Sequence, residues 1–188
     1  MKKTSTLSLT ITALFLALNI VLSLEIFSIP VPGGHLYLND IVIVAGALLL
    51  NPAEAFAVGG IGAFLGDFFF YPAPMFVSLV THGLQAVVIS VLSKKVLKDK
   101  PAVSGVIASL IGAVIMVTGY TLGRTFIYGT GGSVAANWAI SLVKLPYEIL
   151  QAGLGVVFGN LLVYKFGLKK VFEKHSHGRS VAAIPHNA

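Results

Sequence analysis

Six apolar runs constrain this chain more than any other feature of its sequence. They cover 7–24, 37–50, 52–70, 74–95, 101–126 and 139–165, and polar, proline or glycine residues separate them. A membrane-spanning helix uses about 20 residues. Only 11% of the residues are charged, whereas a soluble domain has about 25%. The sequence therefore predicts an all-α integral membrane protein, a bundle of six transmembrane helices with short connections.

The basic residues lie mainly on one side of the predicted bundle. Apart from Arg124 and Lys144, they precede the first helix, lie between the fourth and fifth, or follow the sixth. These residues are Lys2, Lys3, Lys94, Lys95, Lys98, Lys100, Lys165, Lys169, Lys170, Lys174 and Arg179. Because cytoplasmic loops carry an excess of Lys and Arg, we expect both termini in the cytoplasm. The net charge of +6 then requires no nucleic-acid partner.

The membrane domain is predicted to cover 1–172. The remaining segment, 173–188, is polar and lacks periodicity, so we expect a disordered tail. His175 and His177 within it are two candidate metal ligands, and two ligands rarely make a site. The chain contains no cysteine, which excludes disulfides, thiol catalysis and cysteine-ligated metals. We expect no metal and no cofactor on this chain.

Polar side chains within the apolar runs concentrate in the half predicted to face outward. On the fourth, fifth and sixth helices they recur at spacings of three and four, which places them on one helix face; Ser78 shares the face of the fourth helix. The candidate ligand-binding residues are Asn39, Asp40, Asp67, His82, Gln85, Tyr120, Arg124, Lys144, Tyr147, Glu148 and Gln151. Ionisable groups in hydrocarbon usually face a cavity. The pattern predicts an outward-facing pocket above a dry inner half.

Each of these polar groups also has a structural explanation. Asp40 and Asp67 can be interfacial, and Arg124 can extend to the outer headgroups. The spacing of Lys144 and Glu148 also suits an intrahelical ion pair. The deeper polar groups of the fourth helix can form interhelical hydrogen bonds. Their convergence on one half of the membrane favours the pocket.

Small residues four positions apart form ridges on four of the predicted helices, and such ridges let another helix approach closely. The pairs are Ala13 and Ala17, Gly62 and Gly66, Gly119 and Gly123, and Gly155 and Gly159. We expect most of them to pack within the bundle. The sequence has no phosphate-binding loop of the G-x-x-x-x-G-K-[ST] type, so ATP-driven transport would require partner ATPases.

Four segments carry a family resemblance. They are Ala13-Leu-Phe-Leu-Ala17, Pro32-Gly-Gly-His-Leu-Tyr-Leu-Asn-Asp40, Gly59-Gly-Ile-Gly-Ala-Phe-Leu-Gly-Asp67 and Thr81-His-Gly-Leu-Gln85. In this order they resemble the substrate-binding S component of energy-coupling factor (ECF) vitamin transporters. Within that family the chain is most similar to hydroxymethylpyrimidine- or pyridoxine-type members. Gln85 stands where related sequences often carry Glu, which argues against charge-based recognition at this position and is compatible with a neutral heterocycle.

The resemblance implies a function and a set of partners. A six-helix bundle in the prokaryotic plasma membrane would bind a vitamin or precursor from outside, with Tyr120, Tyr147 or Trp138 covering its ring. It would act with a transmembrane coupling subunit and two cytoplasmic ATPases that use ATP. Ala13 and Ala17 would form the docking face for the coupling subunit. The chain itself would not be an enzyme.

Two other functional classes remain open from the residues alone. An autonomous ion-coupled carrier would show inverted repeats or broken helices meeting near the middle of the membrane, and neither is evident. A membrane enzyme could use Asp40, Asp67 and His82 on a lipid-like substrate. Their spacing matches no metal-binding or acid–base motif.

Overall fold

The computed structural model describes residues 6–97 and 99–181, and their side chains except those of Glu25 and residues 175–181. This part of the chain is mainly helical. The helices are α1 (Thr6–Leu22), α2 (Asn39–Leu49), α3 (Pro52–Phe70), α4 (Met75–Leu92), α5 (Pro101–Tyr128), α6 (Val134–Lys165) and α7 (Leu168–Val181). A short 3₁₀ turn (Glu25–Phe27) and two strands, β1 (Ile29–Val31) and β2 (Gly34–Leu36), connect α1 to α2.

Four helices in the described ranges, α3 to α6, are long and apolar enough to cross a membrane. Helices α1 and α2 are also apolar, but they have only 17 and 11 residues. The chain is therefore a multi-pass membrane protein. The count of six spans and the cytoplasmic position of both termini stay predictions.

Local sequence signals explain where these helices begin and end. The Asn51 side chain accepts hydrogen bonds from the backbone N–H groups of Ala53 and Glu54, and the Glu54 carboxylate accepts one from the Asn51 N–H. This capping box starts α3 at Pro52. Helix α6 begins five residues before the predicted position 139, because Ser133 caps it through the Ala136 N–H.

The all-helical prediction omitted a small hairpin in the connection between α1 and α2. Strands β1 and β2 pair antiparallel, with Ile29 opposite Leu36. Pro32 and Gly33 form the turn, and Gly33 has a φ of 84°, as the third residue of a type II turn requires. The expected boundary at residue 172 stays a prediction, although α7 continues across it. The structure does not describe the side chains of His175 and His177.

Helix α2 lies at the centre of the bundle and explains the dry half. Ile43, Val44, Ala45 and Ala47 are almost completely buried, and α1, α4 and α6 pack around this helix. A helix that is apolar on all faces requires such a central position.

The end of α2 opposite the hairpin is closed by polar groups from α4 and the residues after it. The Leu50 carbonyl accepts hydrogen bonds from Ser90 Oγ at 2.7 Å and from Lys94 Nζ at 2.5 Å. A lysine at a helix C-terminus satisfies carbonyls that have no partner within the helix. Burial lowers the pKa of Lys94 below its usual value.

Three of the four small-residue ridges pack against other helices of this chain. An added Cβ atom at any of their glycines would lie within 2.8 Å of a neighbouring atom. The contacts are Gly62 and Gly66 with α1 and its end, Gly119 and Gly123 with α4, and Gly155 and Gly159 with α2. The prediction of packing within the bundle is confirmed for these six glycines. Ala13 and Ala17, by contrast, are exposed.

Gly59 of α3 packs directly against the backbone of α4. A Cβ atom there would lie 2.6 Å from the His82 carbonyl oxygen and 2.8 Å from the Ala86 Cβ. We expect Gly59→Ala to lower the free energy of unfolding by about 1–3 kcal/mol, as overpacking does. Gly153→Ala is the matched control because nothing lies within 4 Å of its Cβ position. A detergent-denaturation titration that finds equal stability changes in both variants would contradict the expected clash.

Candidate functional site

A polar cavity lies at one end of the bundle, where α2, α4 and α6 begin and α3 and α5 end; we call this the cavity end. The centre of a water molecule can occupy about 50 Å³ of the cavity. The space including the mouth is about 640 Å³. The lining is Ser23, Gly33, Gly34, His35, Tyr37, Asn39, Ala63, Asp67, Tyr71, Pro74, His82, Met116, Tyr120, Arg124, Tyr128, Lys144, Glu148 and Gln151.

Asp40 lies beside the cavity wall and holds three helices together. Its Oδ1 accepts a hydrogen bond from Gln85 Nε2 at 2.9 Å, and its Oδ2 accepts one from Gln151 Nε2 at 2.6 Å. The residue is only 1% exposed. A buried carboxylate requires such partners, so Asp40 serves to position α4 and α6 against α2.

The same network sets the orientation of His82. Because Gln85 uses its amide nitrogen on Asp40, its Oε1 faces His82 Nδ1, at 2.7 Å. A carbonyl oxygen can only accept, which assigns the proton to Nδ1. The edge of the Tyr120 ring contacts the imidazole, with ring centroids 5.3 Å apart. His82 thus lines the cavity as a fixed ring whose Nε2 takes part in none of these hydrogen bonds.

Ser78 links a second carboxylate to an aromatic ring. Its hydroxyl donates to Asp67 Oδ2, and the Tyr120 hydroxyl lies 2.6 Å from Ser78 Oγ. Since Ser78 has one proton, Tyr120 is the donor to Ser78. Ser78 itself is fully buried. It was absent from the ligand-binding candidates, but its spacing of four from His82 identifies it as a member of the same face.

Arg124 and Glu148 form a buried ion pair between α5 and α6. Arg124 Nη2 donates to Glu148 Oε1 at 2.7 Å, and Thr121 Oγ1 lies 3.4 Å from Glu148 Oε2. A wide π-helical turn over Arg124–Tyr128 places the guanidinium 5.7 Å from the centroid of the Tyr128 ring. The ion pair of Glu148 is therefore made with α5, and the described residues show no direct ion pair between Glu148 and Lys144.

The hairpin covers the cavity from the α6 side. The Tyr37 N–H donates to Gln151 Oε1 at 2.9 Å. Gly34 faces the Lys144 ammonium so closely that an added Cβ atom would lie 2.8 Å from Nζ. The Lys144 side chain could move away from such an atom, but the φ of 144° at Gly34 is one that residues with a Cβ atom rarely adopt.

The structure brings together most of the predicted ligand-binding residues. Those that line the cavity are Asn39, Asp67, His82, Tyr120, Arg124, Lys144, Glu148 and Gln151. Asp40 and Gln85 lie behind the wall and support it, while Tyr147 and the expected ring cover Trp138 do not line the cavity. Contact with a ligand stays a prediction for all of them.

Sequence reasoning missed the contribution of the hairpin and of several smaller positions. The lining residues outside the candidate list are Ser23, Gly33, Gly34, His35, Tyr37, Ala63, Tyr71, Pro74, Met116 and Tyr128. The signal for the hairpin was present in Pro32-Gly33-Gly34, a turn sequence between two short apolar segments. Met116 and Ala63 carry no polar signal and could be found only from the packed structure.

Comparison with known proteins gives two matches. The family model described as "ECF-type riboflavin transporter, S component" matches residues 3–169. A protein from Pyrococcus woesei, described as "Uncharacterized protein in gap 3'region", is 32% identical over 138 residues. These residues cover 72% of this chain and 86% of that protein.

The family match extends over all four of the long apolar helices. Its description names riboflavin and lends no support to the narrower hydroxymethylpyrimidine or pyridoxine assignment. The family is one of transporter components and not of enzymes, and it implies a vitamin substrate and association with an ECF module. A polar cavity in an apolar bundle suits a binding component of a membrane transporter, and the family model matches most of the chain. The chain therefore belongs to the S-component family of ECF-type riboflavin transporters.

Proposed function

We propose that this chain captures a vitamin or vitamin precursor at the cavity and delivers it through an ATP-driven ECF complex. The observation that carries the proposal is the convergence of ionisable side chains from several helices on one cavity at one end of the bundle. Asp67, His82 and Arg124 line that end, whereas the central helix α2 is apolar beyond its first turn. A channel or proton relay would need polar groups through the full thickness.

Hydroxymethylpyrimidine or pyridoxine is our preferred ligand. Each has a single six-membered ring with polar substituents that could pair with the polar wall. The wall offers both hydrogen-bond donors and acceptors from His82, Gln151 and Tyr120. Riboflavin is the second candidate, because the matching family model names it. Its three-ring system would have to extend into the wider mouth.

The proposed orientation places the cavity end outside and both termini in the cytoplasm, with α1 to α6 as the six membrane helices. Lys94, Lys95 and Lys100, together with the basic residues of 165–174, lie at the opposite end of α4, α5 and α6. An excess of lysine at that end supports its cytoplasmic position. The cavity would then receive its ligand from outside the cell.

Ala13 and Ala17 are the proposed docking face for the transmembrane coupling subunit, which would act with two cytoplasmic ATPases. The three glycine ridges are covered by helices of this chain, whereas these two alanines are exposed. Small exposed residues on an apolar helix permit close approach by a partner helix. ATP would be used by the partners, with no cofactor on this chain. An ion-coupled carrier would need no such partner.

Calorimetry on the purified protein in detergent tests capture directly. Hydroxymethylpyrimidine, pyridoxine and riboflavin would be titrated separately, and native mass spectrometry would identify any retained ligand. We expect one of them to bind without nucleotide, because all the proposed contacts lie on this chain. Binding that requires added ATPase subunits and ATP would contradict the separation of capture from energy supply. Binding of none of the three would reject the proposed substrate class.

His82→Ala and Gln85→Ala are each expected to weaken ligand binding by about 1–3 kcal/mol, the cost of losing a buried polar contact. His82 lines the cavity, and Gln85 holds its ring through a 2.7 Å hydrogen bond. Ser109→Ala is the matched control. Ser109 is equally buried, but it donates to the Gly105 carbonyl and accepts from Asn160 Nδ2, and none of these residues lines the cavity. Calorimetry that finds unchanged affinity in both cavity variants would move the binding site elsewhere.

A further inference from the structure

Two residues of the cavity wall each keep one polar atom without a hydrogen-bond partner among the described residues. These atoms are Asn39 Oδ1 and Arg124 Nη1. The two residues are only 4% and 5% exposed, and both line the cavity. Buried polar atoms nearly always have partners, so these two require an explanation. They lie on different helices and differ in character, one an acceptor and the other a donor.

The orientation of the Asn39 amide is fixed by its neighbours. Asn19 Nδ2 donates to the Val58 carbonyl at 2.6 Å, which leaves Asn19 Oδ1 to accept from Asn39 Nδ2 at 3.1 Å. Ser23 Oγ donates to the Asn19 carbonyl at 2.8 Å and accepts from the same Asn39 Nδ2 at 3.2 Å. A flipped amide would place Asn39 Oδ1 against two acceptors. The unpartnered atom is therefore the oxygen, an obligate acceptor.

The guanidinium of Arg124 is held in a similar way from one side. Nη2 donates to Glu148 Oε1 at 2.7 Å, and the neighbouring Tyr128 ring lies 5.7 Å away. These contacts fix the plane of the guanidinium, whereas Nη1 donates no hydrogen bond to any of the described residues. An arginine nitrogen can only donate. Two residues of the wall thus hold one buried acceptor atom and one buried donor atom for which the described residues supply no partner.

We propose that Asn39 and Arg124 are the two anchor points of the ligand. Asn39 Oδ1 accepts a hydrogen bond from an N–H or O–H group of the ligand, and Arg124 Nη1 donates to a ligand oxygen or ring nitrogen. The inference rests on the proposed vitamin-binding function and specifies its chemistry: a heterocycle with a donor and an acceptor at separate edges. Aminopyrimidines and isoalloxazines meet this requirement, and analogues without the donor do not.

Matched ligand pairs test the role of Asn39. One pair is hydroxymethylpyrimidine and its analogue without the 4-amino group; the other is riboflavin and its 3-methyl derivative, which lacks the ring N–H. For the pair whose parent binds, we expect removal of the donor to weaken binding to the wild-type protein about tenfold. In Asn39→Ala the same removal should have no further effect, because the two changes delete one shared contact.

Arg124→Lys supplies the crossed control. It keeps a positive charge for Glu148 but removes the planar fork of donors. We expect it to weaken the binding of both ligands of the pair by about tenfold. The difference in affinity between the ligand with the donor and the ligand without it should stay the same. Asn39→Ser serves as the second variant if Asn39→Ala does not fold, and thermal unfolding of each variant checks this.

The possible results are distinguishable. Equal wild-type affinity for both members of a bound pair would overturn the acceptor role of Asn39, and so would a donor effect that persists in the Asn39 variants. Unchanged affinity in Arg124→Lys would overturn the donor role of Arg124. In these cases the proposed vitamin capture would stand. If pyridoxine binds the wild-type protein and neither parent of the two pairs does, the anchor assignment to aminopyrimidines and isoalloxazines fails while vitamin capture stands. If none of hydroxymethylpyrimidine, pyridoxine and riboflavin binds, both fail.

Discussion

Ala13→Trp and Ala17→Trp are each expected to abolish vitamin uptake by the complete transporter while changing ligand affinity of the isolated protein by less than about threefold, under about 0.7 kcal/mol. Both alanines are exposed on α1, and neither lines the cavity. An indole ring would prevent close approach of a partner helix. Calorimetry, copurification of the complex and uptake would be measured on the same variants.

Val114→Trp is the matched control for this experiment. Val114 is 66% exposed on α5, so an added indole ring there contacts lipid and should leave uptake intact. Loss of ligand affinity together with uptake in the alanine variants would indicate packing within the bundle instead. Normal uptake by a folded Ala13→Trp or Ala17→Trp variant would reject the docking assignment.

Glu148→Ala is expected to lower the free energy of unfolding by about 3–5 kcal/mol, because it leaves the buried Arg124 guanidinium without its anionic partner. The two side chains are only 5% and 6% exposed. Replacing both residues with Met should recover most of the loss, since an apolar pair of similar volume leaves no buried charge. Denaturation in detergent would measure the free energy of unfolding of the wild-type protein, of Glu148→Ala and of the variant with Met at both positions.

An exposed ion pair in the same chain provides the comparison. Lys169 and Glu173 lie 3.9 Å apart in α7, with side chains 36% and 53% exposed. Glu173→Ala should change the free energy of unfolding by less than about 0.5 kcal/mol, as is usual for an exposed pair. A similarly small decrease in the free energy of unfolding in Glu148→Ala and Glu173→Ala would show that burial does not determine the strength of the Arg124–Glu148 pair.

Much of the helical framework follows from local signals in the sequence. The apolar runs predicted all of the four long helices. Asn51-Pro52 lies between α2 and α3, and Tyr71–Pro74 lies between α3 and α4. Helix caps and prolines act within a few residues, so they can be recognised without knowledge of the fold. The hairpin escaped prediction because its strands have only three residues each, too few to show an alternating pattern.

The spacing of residues along a helix decides which side chains share a face, and in this way it placed His82 with Gln85 and Glu148 with Gln151. It could not decide which faces meet. The choice of Arg124 over Lys144 as the partner of Glu148, and the position of Asp40 behind the wall, depend on how the helices rotate and approach one another. That arrangement is set by contacts between residues far apart in the chain, such as Gly155 against Asp40. Periodicity describes a single helix, whereas a binding site is formed by the packing of several.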